Sequence, residues 1–322
     1  RIGLWVGQAT APNRVDLAAD ALKNVHGDSW VRTGGGRPDQ LSSCPWCGTA
    51  IEPGRDMRVE TYEQGRARVL TFCGDRLGEC EFTQRGSPGE GLPVLTVDEE
   101  IYRRLPALLI ATVDKFAQLP WNGATQTLFG TVDGRCERHG FRTPTLEDKD
   151  SHPSKNSLPP AKTVDREALL RPPDLVIQDE LHLISGPLGT MVGLYETAVE
   201  RLMTWKLDGV DVHPKVIAST ATTRRAGHQV HQLFLRRVRI FPPPGLDVED
   251  SFFARERPLS DEEPGRVYLG VCAPGRRLKA VLIRVYVAFL ASAQTLYERY
   301  GTAADPWMTL VGYFNSMREL GG

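Results

Sequence analysis

The sequence predicts an α/β protein built on a parallel sheet with helices flanking it. Three observations carry this. Short apolar runs recur, IGLWV at 2–6, ALLIA at 107–111, LVI at 175–177 and VIA at 216–218, and the later ones lead straight into polar clusters. Between the last two, Leu188, Val192, Tyr195, Val199 and Leu202 repeat at helical spacing, an amphipathic stripe of the kind that covers a sheet. Continuous apolar runs, as opposed to alternating ones, are the pattern of strands buried on both faces.

Taken in order, residues 2–6 read as a short buried strand. The stretch 26–43 holds Gly34-Gly35-Gly36; no Lys-Ser/Thr follows, so it reads as a connector and not as a phosphate cradle. Cys44-Pro-Trp-Cys47, closed by Gly48, is a knuckle that presents two thiolates from one tight turn, and Cys73 and Cys80 supply a second, wider pair. Four soft ligands suit tetrahedral zinc, with reduced buried thiols as the alternative. This module ends near 90, at the turn-rich GSPGEG. Cys136-Glu-Arg-His139 also has ligand spacing but lacks partners of its own. From 141 to 173 the composition turns polar and proline-rich, which reads as an exposed insertion of the kind that stays disordered. The strand LVI, the helix over 188–202 and the strand VIA follow. Residues 242–267 form a Pro/Asp/Glu-rich linker, a long helix runs from about 276 to 300 and stops at Gly301, and Met308–Phe314 reads as a last strand. Cys272, alone in an apolar run, reads as a core residue.

Bulk properties narrow the class. Lys and Arg number 39 against 40 Asp and Glu, a net charge of −1. This excludes a polycation or an acidic tail but leaves room for a local basic groove. The 31 glycines and 23 prolines predict many loops. The longest apolar stretch, 281–292, is broken by Arg284 and falls short of the roughly 20 residues a membrane span needs. No secretion or lipidation signal is present, so a cytoplasmic location is expected. The chain opens on Arg1 and ends on Gly321-Gly322, from which an internal piece of a longer protein is expected.

In doubly wound sheets, functional side chains sit at the carboxyl ends of strands. The strand LVI runs into Gln178-Asp179-Glu180-Leu181-His182. Two adjacent acids there suit nucleotide hydrolysis: Asp179 would hold Mg²⁺ through water, and Glu180 would orient and deprotonate the attacking water. A solvated acidic turn is the plainer alternative. The strand VIA runs into Ser219-Thr220-Ala221-Thr222, and LLIA into Thr112-Val113-Asp114-Lys115-Phe116.

With these residues in place, the chain resembles the superfamily 2 helicases. QDELH at 178–182 resembles their D-E-x-H Walker B motif, and TAT at 220–222 the S/T-A-T motif that couples hydrolysis to nucleic-acid movement. TVDK at 112–115 stands where the family grips a strand, and MTLVGYFNS at 308–316 resembles the opening of the second RecA-like domain. The resemblance implies a first RecA-like domain over 1–240, with a zinc module at about 40–90 and the insertion at about 141–173. It further implies a linker and helix over 241–305 and the start of a second RecA-like domain at 306–322. It also implies ATP and Mg²⁺ as cofactors, beside the Zn²⁺ read from the cysteines, and contact of His182 with Thr220 to Thr222. Thr112, Asp114, Lys115 and Asn315 would contact nucleic acid, DNA favoured. Arg224, Arg225, Arg236, Arg237 and Arg239 read equally as a phosphate track or a solvated helix face.

The longer phrases QDELHLISGPLGT, TVDKFA and VGYFNSMRELGG, with the cysteine module, resemble the helicase subunit of the DISARM anti-phage systems and its relatives. That implies partner subunits in a defence complex and no membrane. The pattern departs in two places. No G-x-x-x-x-G-K-[ST] occurs, and no arginine-finger motif is reached. Both are expected in the intact gene, and these residues alone are not expected to turn over ATP. The alternatives are a nucleic-acid-binding scaffold with a decayed ATPase and a zinc-dependent protein-docking module.

Overall fold

From the N-terminus, the computed structural model runs β1 (Ile2–Trp5), α1 (Val15–Asn24), α2 (Pro53–Asp56), β2 (Met57–Thr61), β3 (Ala67–Thr71), β4 (Val94–Leu95), α3 (Asp98–Arg104), β5 (Leu108–Ala111) and α4 (Val113–Gln118). Next come β6 (Gly134–Cys136), β7 (Gly140–Arg142), β8 (Ser151–His152), β9 (Ala161–Asp165) and β10 (Leu175–Gln178). Then follow α5 (Gly186–Met203), β11 (Trp205–Leu207), β12 (Val210–Val212), β13 (Lys215–Ala218), α6 (Ala226–Phe234) and α7 (Leu278–Tyr300). The structure describes residues 1–24, 36–62, 67–146, 148–154, 158–165, 170–184, 186–220, 226–243, 245–262, 265–314 and 320. The chain divides into two units, Arg1–Ile240 and Phe241–Gly322.

In the first unit the parallel strands stand in two pieces. One has the order β4-β1-β5, and the other is the pair β10-β13. A cavity of about 590 Å³ lined by Leu108, Leu109, Leu175 and Ile177 lies between β5 and β10, so the single parallel sheet the sequence implies is not continuous among the described residues. The architecture is mixed α/β with several small sheets. Parallel strands are normally covered on both faces, yet Leu108, Ile110, Leu175, Ile177 and Ile217 are all at least 45% exposed.

Apolar clusters hold the N-terminal half, two of them beside the cysteine module's own. Val15, Ala18 and Leu22 of α1 pack on Met57, Val69 and Val97. Trp5, Leu95, Ile101, Tyr102 and Ala124 form the second. Each of the Val, Leu, Ile and Met side chains among them contributes about 1.5–3 kcal/mol on full burial. Polar ties cross the same layer: the Trp5 indole donates to the Tyr102 hydroxyl at 3.0 Å, and Glu99 accepts from the Val15 amide at 2.9 Å at the start of α1. β11 and β12 form a hairpin around Asp208-Gly209, both at positive φ, as a two-residue Asp-Gly turn favours.

Two readings need correcting. Residues 141–173 are not an open polar loop: β7, β8 and β9 join β6 in a four-stranded sheet of order β7-β6-β9-β8. Thr143 and His152 are buried, and the Asp148 side chain is fully so. Arg138 donates to the carbonyls of Pro153 and Pro159, so polar residues here satisfy one another inside the fold. In the second unit, residues 308–314 form no strand and have no strand partner among the described residues, and Val311 and Tyr313 are exposed. α7 ends at Gly301, whose φ is +60°, and is followed by a 3-10 segment at Gly301–Trp307. By length and composition the stretch Leu278–Trp307 could cross a membrane, with 6% of its most apolar window buried.

Candidate functional site

β10 and β13 run parallel in the register Leu175↔Lys215, Val176↔Val216, Ile177↔Ile217, Gln178↔Ala218, so both strands end at the same level. The next residue of each therefore meets the other. Ser219 Oγ donates to Asp179 Oδ1, the Ser219 amide donates to the Gln178 carbonyl at 2.9 Å, and the Leu181 amide donates to the Ser219 carbonyl at 2.9 Å. Asp179 Oδ1 also accepts from the Glu180 amide at 2.9 Å. The Ser219 hydroxyl, and then that amide, hold the Asp179 carboxyl below its usual range.

Glu180 sits at φ +54°, ψ +41°, the left-handed region, which a non-glycine residue adopts only when its surroundings hold it there. The anchor is underneath. Leu181 and Ile184 are buried with Val192 of α5 and Leu233 and Phe234 of α6. Gln229 donates its amide to the carbonyls of Leu181 and Ile184 at 3.2 and 2.9 Å. The loop is thus clamped while its acids stay accessible, the Glu180 side chain at 58% exposure. The His182 Nδ1 lies 3.2 Å from Glu180 Oε2. Thr220 is exposed. Ala221, Thr222, Arg224, Arg225 and Asn315 lie outside the described residues.

The third strand end differs from expectation. Thr112 and Asp114 are exposed, but Lys115 is 1% exposed and points inward. Its ammonium lies 2.5 Å from Asp98 Oδ2 and 2.8 Å from Asn13 Oδ1. A cation held there completes a core ion pair and is not presented to a phosphate track. Arg236 is likewise engaged, donating to the Pro214 carbonyl and to Glu200 at 2.6 and 2.7 Å. Arg237 and Arg239 are exposed. Cys272 is exposed, not a core residue.

The four cysteines of the first module converge. Cys44 Sγ lies 4.0 Å from Cys80 Sγ, Cys47 Sγ lies 3.4 Å from Cys73 Sγ, and all four lie within 4.8 Å of one another. The sulfur edges of a zinc–thiolate tetrahedron are about 3.7–3.8 Å at the usual metal–sulfur distance, so these four residues can hold a metal such as zinc. The knuckle closes because the Gly48 amide reaches the Cys44 carbonyl at 2.8 Å with φ +79°. The second turn is fixed by Asp75, whose carboxylate accepts from the amides of Leu77, Glu79 and Cys80 at 2.8–3.0 Å. Sequence reasoning passed over Asp75, although an Asp two residues past a ligand is a turn signal. Bonds with Thr49 hold the Cys47 thiol down at about 6, whereas burial pushes Cys73 and Cys80 up.

No protein-family model matches the chain. The whole chain aligns with the DISARM protein DrmA of Bacillus paralicheniformis, 43% identical over 330 residues, and it spans 28% of that protein's length.

Proposed function

The chain is DrmA-like over its whole length, and on that premise we propose that it is the central part of an ATP-dependent nucleic-acid helicase or translocase in a bacterial anti-phage defence system. The observation that supports this reading best is the bond from Ser219 to Asp179. It joins a D-E-x-H loop to an S-T-A-T loop at the level ends of two parallel strands.

In this reading Asp179 holds Mg²⁺ through water, and Glu180 orients the attacking water and takes its proton. Bound Mg²⁺ supplies neutralising charge to the phosphates. Asp179 Oδ1 accepts from Ser219 and the Glu180 amide, so Oδ2 is the oxygen that would serve a bound Mg²⁺. Ser219 and Thr220, continuing into Ala221 and Thr222, report the state of that carboxylate to the nucleic-acid track, with His182 beside Glu180. Thr112 and Asp114 at the end of β5, and Asn315, contact the strand, which is DNA, largely through its backbone. The phosphate-binding loop belongs to the longer protein. So does the chain that covers the exposed apolar faces of β5, β10, β13 and α7, which keeps the protein cytoplasmic and off the membrane. Zinc at Cys44, Cys47, Cys73 and Cys80 holds its module together, and other subunits of the defence system complete the assembly.

A docking role for the cysteine module is the second reading. Its two turns carry Trp46 and Leu77 at 68% and 81% exposure, side chains that favour a protein surface over water.

The test is ATP hydrolysis by the longer protein, with and without single-stranded DNA, beside Glu180→Gln. DNA-stimulated turnover that the variant loses is the expected result. Equally negligible rates in both overturn the motor and bring the scaffold forward.

A further inference from the structure

We propose that Cys136, His139, Asp148 and His152 form a second metal site, distinct from the four-cysteine cluster, that binds one zinc-class divalent ion. Their ligand atoms all lie within 4.8 Å of one another. Cys136 ends β6, His139 sits in the turn before β7, Asp148 follows β7, and His152 lies in β8. The four donors therefore come from successive parts of one small sheet. Every one is withdrawn from solvent: Cys136, His139 and His152 are 1–3% exposed, and the Asp148 side chain is fully buried.

The distances suit a tetrahedron. Cys136 Sγ stands 3.7 Å from His139 Nδ1, Asp148 Oδ2 stands 2.8 Å from the same nitrogen, and Asp148 Oδ1 stands 3.1 Å from His152 Nε2. With zinc at its ordinary distances, sulfur–nitrogen and nitrogen–oxygen edges are roughly 3.4–3.6 Å. Small movements of buried side chains separate the two arrangements. Surrounding groups set up the ligands. The His139 amide donates to Cys136 Sγ at 3.4 Å, which stabilises a thiolate. Arg103 of α3 holds Asp148 Oδ2 at 3.2 Å, while Oδ1 lies 3.0 Å from His139 Nδ1 and 3.1 Å from His152 Nε2. A thiolate and a carboxylate neutralise a divalent ion, and one sulfur, two imidazoles and one carboxylate form a borderline donor set that selects zinc over calcium or magnesium. Four protein ligands with no solvent access make the site structural. It would lock the sheet β7-β6-β9-β8 and, through Arg103, fasten it to α3. Binding displaces the thiol proton and any proton on the imidazoles.

The test uses the whole chain and zinc as the probe. Elemental analysis should find two zinc ions per chain. His152→Gln and Asp148→Asn should each leave one, as should the Cys44→Ser/Cys47→Ser pair. Zinc X-ray absorption of the unaltered protein should show nitrogen and oxygen beside sulfur in the ligand shell, a readout that needs no variant to fold. One zinc per chain with an all-sulfur shell overturns the proposal. So does a count of two that folded His152→Gln and Asp148→Asn leave unchanged. Neither result touches the ATPase experiment, since the site shares no residue with the D-E-x-H loop.

Discussion

Ser219 donates its hydroxyl hydrogen to the carboxylate of Asp179 across the parallel pair β10–β13, one residue beyond the point where Gln178 stands opposite Ala218. Forty residues of chain separate the two, and only equal strand lengths in that register bring them together. The contact is exposed, so its contribution to stability is small. It can nevertheless fix which oxygen of Asp179 is available.

If this bond links the nucleotide site to the nucleic-acid track, Ser219→Ala in the longer protein should separate two activities. Losing a bond to a charged group corresponds to roughly tenfold in rate, and we expect that loss in DNA-stimulated unwinding or movement. Basal ATP hydrolysis should change much less, and Ser219→Thr should restore the coupling. The comparison is of translocation and ATPase rates on the same preparations. Equal loss of both places Ser219 in the hydrolytic step instead.

The four-cysteine cluster leads to a second prediction, on folding. Cys44 and Cys47 close one turn while Cys73 and Cys80 close the other, and β2 and β3 lie between them in sequence. Structural zinc contributes its binding free energy to folding, apparent values being about 10 kcal/mol or more in small zinc domains. Cys47→Ser should therefore release one zinc ion per chain and open residues 36–95 to limited proteolysis. A variant that keeps its metal and its protease resistance contradicts this role.

How much of this was legible in the sequence follows from the range of the interactions involved. Strand runs such as LVI and VIA, and the helix stripe from Leu188 to Leu202, are local patterns, and β10, β13 and α5 arise where they lie. The Cys44 knuckle is local as well. Sequence could not show that Asp148 and His152 would come to Cys136 and His139, because that meeting depends on the pairing of β8 with β9 and of β9 with β6. Polar composition alone suggested an open loop there. Lys115 misled in the opposite direction: a lysine after a strand end ordinarily faces water, and the positions of Asp98 on α3 and of Asn13 turn it inward.

Glu196 supplies a pH dependence. It is mostly buried in α5 and one turn from Glu200; burial first, and then that like charge, push its carboxyl up to about 7 from an ordinary 4.5. The folded protein thus binds this proton more tightly than the unfolded chain. The stability it contributes is fully present below about 4.5 and is lost as pH rises through 7. Glu196→Gln removes the titration. At pH 8 it should stabilise by about 1–2 kcal/mol, and at pH 4 by nearly nothing. Thermal melts of both proteins across that range measure it; a difference independent of pH contradicts the assignment.

The pairing of Lys115 with Asp98 separates a structural lysine from a phosphate-binding one. Both charges are buried, and Asn13 takes a further hydrogen bond from the ammonium at 2.8 Å. Removing one partner leaves an uncompensated charge in the core, a loss of about 3–5 kcal/mol, whereas replacing both by apolar groups of similar volume is often close to neutral. Lys115→Met should therefore lower the melting temperature sharply, and Lys115→Met/Asp98→Leu should recover most of the loss. Because the ammonium does not reach solvent, the double variant should bind single-stranded DNA with an unchanged salt dependence. A phosphate contact at this position would instead reduce the slope of log K against log salt by about 0.7. A melting temperature restored together with a reduced slope would move Lys115 back to the nucleic-acid track.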